Sequence, residues 1–146
     1  MRGSLSSRPR RADRRLIITP DHRYFVGGRE WPGNTAILRA SGYGHGFGTE
    51  QDLARGKAAH SATVYFDEGR LDWTTLDRRL EGYVAGWVAF RRVSGFVPKM
   101  IEVPLVCNRH GFATRPDRVG VLNGRGAVVQ IKTGGMDPSV GPQTAG

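Results

Sequence analysis

Residues 114–135 read TRPDRVGVLNGRGAVVQIKTGG. Two β-prone apolar runs flank Asn123-Gly124, the dipeptide that most strongly signals a two-residue hairpin turn. Pairing the runs about that turn carries Asp117, at the start of one arm, toward Gln130 and Lys132 near the end of the other. Residues two apart in a strand share a face, so Gln130 and Lys132 project together. A plain surface hairpin whose lysine pairs with an aspartate satisfies this pattern. So does a site for phosphodiester hydrolysis. A carboxylate is a hard oxygen ligand for magnesium, the Gln130 side chain and the Ile131 backbone offer weaker carbonyl ligands, and a lysine steadies phosphate charge or assists a water.

Working outward, KMIEVPLVC reads as a strand, GFATRPDRVGVL as a second and GAVVQIKTG as a third. Before them, TTLDRRLEGYVAGWVAFRRVSG sets Leu76, Leu80, Tyr83, Val84, Trp87 and Phe90 at helical spacing. Thr75 is the expected cap of that helix and Gly95 its terminator. The Trp87 and Phe90 stripe reads as core. TEQDLARGKAAHSATVYFDEG predicts a helix over residues 50–66, with Leu53, Ala54, Lys57, Ala58 and His60 on successive turns. Further upstream, RLIITPDHRYFVGG predicts a hairpin of residues 16–19 and 24–26 that turns at Pro20-Asp21 and leaves at Gly27-Gly28. WPGNTAILRASG predicts a short helix capped by Asn34 and stopped at Gly42. GYGHGFG lacks the preceding strand and the following Gly-Lys-Ser/Thr of a phosphate loop, and reads as a linker.

The length, 146 residues, is that of one domain with a real core. The expected organisation is a disordered Arg-rich tail over residues 1–15 and one domain over 16–146. The lone cysteine, Cys107, excludes an internal disulfide and a thiolate metal cluster, and reads as a small buried hydrophobe. No stretch approaches the roughly 20 apolar residues of a membrane span, and no apolar run of signal-peptide type follows the basic N-terminus. The formal net charge is +9. Composition alone leaves two readings of it: a phosphate-backbone partner, or a solvated basic surface in an Arg-rich chain with lysine only at 57, 99 and 132.

Taken together, these segments resemble the PD-(D/E)XK nuclease superfamily, in its RecB-type and phage-exonuclease branch. RPD followed by QIK is similar to the family signature, ARGKAAH to its Arg-Gly…His helix, and GYVAGWVAFRRVSGF to its long second helix. IEVPLV resembles the first core strand, GFATRPDRVG the Asp-bearing strand, VVQIKTGG the acid-x-Lys-Thr-Gly strand, and HRYFVGGREWPGNTAIL the opening hairpin and short helix. The resemblance spans roughly residues 20 to 146. It implies an α/β fold with a restriction-endonuclease-like core: a mixed, mostly antiparallel sheet with flanking helices. It also implies a Mg2+- or Mn2+-dependent deoxyribonuclease, an exonuclease before an endonuclease, working in phage or prophage recombination or repair.

Carried onto this chain, the resemblance makes Asp117 the main metal ligand and Lys132 the catalytic lysine, with Gln130 in the acidic position of the motif. His60 faces the metal, its plain alternative being a core or capping histidine. Ile131 contributes its carbonyl. Glu102 is a further ligand or, equally, a salt-bridge partner of an arginine. Thr133 and Gly134 complete the motif. Arg115, Arg118 and Arg55 hold backbone phosphates. The partners are DNA, with a second copy or a recombination protein, and no membrane; the setting is the cytoplasm of a bacterial or phage-infected cell. Two departures stand out. Gln130 leaves the site one negative charge short. The last helix and strand of the family core are also missing, since PQTAG ends the chain where that helix, with Gln143 its first residue, begins. Both departures raise the alternative of a nuclease fold, or a fragment of one, that binds DNA with weak or no cleavage.

Overall fold

A computed structural model describes residues 15–43 and 48–134. The Arg-rich tail, the centre of the glycine-rich linker and the segment from Gly135 onward, with Gln143, lie outside the described residues.

The described residues form a mixed α/β fold, with three helices and three small antiparallel sheets. The first sheet is the N-terminal hairpin plus one strand: β1 (Leu16–Ile18), β2 (Tyr24–Val26) and β3 (Arg29–Trp31). Residues 29–31 were not expected as a strand, because Arg-Glu-Trp lacks an apolar run; cross-strand pairing to β2 and an Arg23–Glu30 ion pair hold them there.

Helix α1 (Asn34–Ala40) follows. Its N-cap is Gly33 and no side chain caps it, so Asn34 is its first residue rather than its cap. Helix α2 (Glu50–Asp67) opens on a capping box in which Thr49 and Asp52 exchange bonds. Helix α3 (Arg78–Ser94) is capped by Asp77, not Thr75, whose hydroxyl donates to the Asp72 carbonyl in the preceding turn. It ends, as expected, at Gly95 in the left-handed conformation.

The expected strand KMIEVPLVC is split into β4 (Val97–Ile101) and β5 (Leu105–Cys107), and GFATRPDRVGVL into β6 (Phe112–Thr114) and β7 (Arg118–Leu122). β8 (Arg125–Val129) closes the hairpin. The single mixed sheet of the sequence reading is therefore two separate ladders here, β4-β7-β8 and β5-β6. The reason is local. Between the paired residues Ile101–Arg118 and Leu105–Thr114 the facing segments each carry a proline, Pro104 and Pro116, and neither has an N–H to donate. Glu102 takes φ 50 at the same place, which turns the strand away. The β7–β8 turn is a primed one, with Asn123 at φ 51 and Gly124 at φ 74.

The core lies where α2 and α3 pack on the β4-β7-β8 sheet. Val84, Trp87, Phe96, Ala59 and Ala62 are buried there. Trp87 stacks on Phe90 at 5.5 Å and meets Phe96 edge-on at 6.0 Å. Gly120 on β7 admits no side chain: an added Cβ would lie 2.2 Å from the Val97 carbonyl oxygen and against the Phe96 ring. On α2 the buried residues are Ala59, Ala62 and Thr63, while Leu53 is 51% exposed.

A charged group occupies the centre. The Arg118 and Asp67 side chains are both fully buried, and Arg118 Nε donates to Asp67 Oδ2 at 2.5 Å. Asp67 Oδ1 also accepts from Trp87 Nε1 at 2.9 Å and from Arg91 at 2.6 Å. Arg118 donates further to the Thr63 hydroxyl at 3.1 Å and the Asp117 carbonyl at 2.8 Å. These bonds join α2, α3 and β7, and they offset part of the desolvation cost of burying the pair.

Candidate metal centre

Gly56, His60, Thr63 and Asp67 fall four, three and four residues apart on α2, so they form one stripe. That stripe faces the end of the β7–β8 hairpin. Thr63 and Asp67 hold Arg118, His60 meets Asp117, and a Cβ on Gly56 would come within 3.3 Å of the Thr133 hydroxyl. Of the Arg-Gly…His segment noticed in the sequence, Gly56 and His60 thus lie on the contact surface.

The break in the ladder brings the carboxylates together. Glu102 N–H donates to the Asp117 carbonyl at 3.0 Å, which also accepts from Arg118, so two bonds fix the Asp117 backbone. One step past the last paired residues, Arg118 and Val129, come Asp117 and Gln130. The Asp117 carboxylate reaches across and accepts the Ile131 N–H at 2.6 Å. Its other oxygen lies 3.4 Å from His60 Nδ1. Ligand atoms of His60, Glu102 and Asp117 all lie within 4.8 Å of one another, and all three residues are half-buried. The His60 pKa is raised above the ordinary imidazole value. The hydrogen bond to Asp117 is the main cause, partly offset by burial, with the charges of Asp117 and Glu102 and the Ile131 backbone adding to it.

Donor chemistry is the test of fit for a divalent cation. Two carboxylates and one imidazole make a hard, mostly oxygen set of charge −2, which suits Mg2+ or Mn2+. The imidazole nitrogen tilts the set toward Mn2+. Holding Glu102 at φ 50 costs about 1–3 kcal/mol, a strain that sits at the candidate site.

Gln130 and Lys132 stand on either side of Ile131, whose N–H the Asp117 carboxylate accepts. They line a neighbouring cleft of about 650 Å3 between the first sheet, α1 and the β6–β7 connection. Gln130 is half-buried and Lys132 exposed. Arg115 lines the same cleft and is exposed. Arg55 lies elsewhere, exposed on α2 and paired with Asp52 at 2.5 Å. Arg118 is a correction: its guanidinium is fully buried and spent on Asp67, Thr63 and the Asp117 carbonyl, so it cannot reach a phosphate. In an alternating strand an arginine reads as an exposed cation, and only the distant Asp67 reveals otherwise. Cys107, expected to be buried, is half-buried with a free thiol. No helix among the described residues is long and apolar enough to cross a membrane.

The chain matches no family model, no curated protein and no solved structure.

Proposed function

We propose that this chain is a Mn2+- or Mg2+-dependent nuclease that hydrolyses DNA phosphodiesters on a restriction-endonuclease-like core of the PD-(D/E)XK kind. The observation that carries the reading is the convergence of His60, Glu102 and Asp117, from a helix and two strand ends, beside a cleft lined by cations. In this reading Asp117, Glu102, His60 and the Ile131 carbonyl hold the cation. A bound divalent cation supplies Lewis-acid activation of water and neutralisation of phosphate charge. Lys132 lies two residues past Gln130 and lines the cleft, and in this reading its ammonium stabilises charge developing on a phosphate. Arg115 steadies the backbone without reading sequence. Phage or prophage recombination or repair, in a bacterial or phage-infected cytoplasm, is the setting that goes with this reading.

The test is incubation of the purified protein with linear and circular DNA, with and without Mn2+ or Mg2+. Asp117→Ala is expected to lose both metal binding and cleavage. Lys132→Ala is expected to bind metal and lose most cleavage. Full cleavage by Asp117→Ala would falsify the assignment. One observation favours a second reading, a nuclease fold that binds DNA without cutting it: position 130 carries a neutral amide where the family pattern has an acid. Metal-independent DNA binding with no cleavage under any cation is the outcome that selects it.

A further inference from the structure

The cleft beside the metal centre has a floor that phosphate binding does not explain. Tyr24 on β2 and Trp31 on β3 are direct cross-strand partners, so both rings leave the same face of the first sheet, and both line the cleft. Both are half-buried, with ring surface left open. The Tyr24 ring is backed by Gly33, where an added Cβ would meet its edge at 3.0 Å. The sheet is fastened to the rest of the molecule just beyond Trp31. The Pro32 carbonyl accepts the Ala113 N–H at 3.0 Å, Gly33 bridges to Ala113, and Ala113 is fully buried. The aromatic pair is therefore tied to the chain just before Thr114 and Arg115, which line the same cleft.

The charge around the pair is lopsided. Among the described residues lining the cleft, Arg23, Arg39, Arg115 and Lys132 face one carboxylate, Glu30, and that carboxylate is engaged by Arg23. A volume of about 650 Å3 is that of a site for one or two nucleotide-sized groups, within the roughly 300–1,000 Å3 usual for small-ligand sites. A duplex keeps its bases stacked within itself and offers an aromatic floor nothing to stack on. Unpaired bases have free faces, and aromatic rings set in a basic groove are how proteins hold them.

We propose that Tyr24 and Trp31, with Arg39 and Arg115 alongside, form a subsite for single-stranded DNA that leads an unpaired strand to the His60–Glu102–Asp117 centre past Gln130 and Lys132. The proposal deepens the nuclease reading and rests on it for the identity of the ligand. It makes the preferred substrate a single strand or a frayed end. Trp31 is the stacking platform, and Arg115 contributes one phosphate contact.

The experiment is equilibrium binding in EDTA, where no cleavage intervenes, of a ten-nucleotide oligo(dT) and of a ten-base-pair duplex to the full chain. Tryptophan fluorescence is read in a Trp73→Phe background, which leaves Trp31 and the buried Trp87. The single strand is expected to bind more tightly than the duplex and to quench the fluorescence. Trp31→Ala is expected to weaken single-strand binding by roughly 5- to 150-fold, the usual range for one lost base stack. Trp31→Phe keeps a ring and is expected to restore most of the affinity, which a merely structural role for the indole does not predict. Arg115→Ala, on an exposed connection, is expected to lower the salt slope by about 0.7. Equal binding of strand and duplex, or no quenching at saturation, overturns the proposal even if the protein cuts DNA with Mn2+. Tight, quenched single-strand binding sustains it even if no cation brings about cleavage, so the two readings fail separately.

Discussion

His60 Nδ1 stands 3.4 Å from Oδ1 of Asp117, and this contact is the main reason the imidazole holds its proton above the ordinary value. The Asp117 contact thus favours the protonated form of His60. A group whose folded pKa is raised contributes stability that is fully present below its unfolded value, near 6.5, and lost as pH rises through the folded value. Unfolding in EDTA is therefore expected to show stability falling as pH climbs above that point. Asp117→Asn should flatten the fall, and its His60 titration, followed by NMR, should return toward the ordinary value. An unchanged titration in Asp117→Asn would mean that the two side chains do not meet in solution.

Gln130→Glu should tighten Mn2+ binding by about tenfold, a modest share of the ~4 kcal/mol that one unit-charge pair at 4 Å has near a protein surface. The ladder sets position 130 across from Asp117, so the added carboxylate enters the field of the same ligands. Calorimetric titration of both forms measures it. Weaker or equal affinity in the glutamate form would show that residue 130 faces the cleft alone.

Asp67 is buried and accepts from Arg118, Arg91 and Trp87 at once. Asp67→Ala strands the Arg118 guanidinium in the core and should cost about 3–5 kcal/mol. Urea unfolding reads the loss. Because Arg118 also holds the Asp117 carbonyl, Mn2+ affinity should drop along with stability in the fraction that stays folded.

Gly120→Ala should be destabilising by about 1–3 kcal/mol, the usual cost of overpacking a tight core. The Val97 carbonyl that a Cβ would strike belongs to the paired strand, so relief requires the β4–β7 ladder to part. A wild-type thermal midpoint in this variant would mean that the β4–β7 ladder parts there at little cost.

What was legible in the sequence is what has local causes. Asn123-Gly124 needs only its own backbone preferences to turn, and the helix carrying Val84 and Trp87 advertises itself by large apolar residues at helical spacing. The inward face of α2 did not, because it is built from Gly56, Ala59, His60, Thr63 and Asp67, small or polar residues whose partners lie on other elements. The split of the long strands depends on two prolines meeting across a ladder, which no single stretch displays. Asp117 was read as a ligand from the hairpin itself and His60 and Glu102 from resemblance to a known pattern, and the break in the strands brings the three together. The cleft with Tyr24 and Trp31 was missed, since the short third strand that aligns the two rings has no apolar signature.

The left-handed backbone of Glu102 sets two demands on one position against each other. Glycine would take φ 50 without strain, and so would relax the fold while removing a candidate ligand. A library of this chain randomised at residue 102 and screened only for heat resistance would drift to glycine, with asparagine behind it. The same library screened for metal-dependent turnover would keep an acid. Position 102 is thus a place where the history of the chain can be read by experiment: the screen whose winner matches the natural glutamate names the pressure that has kept it there.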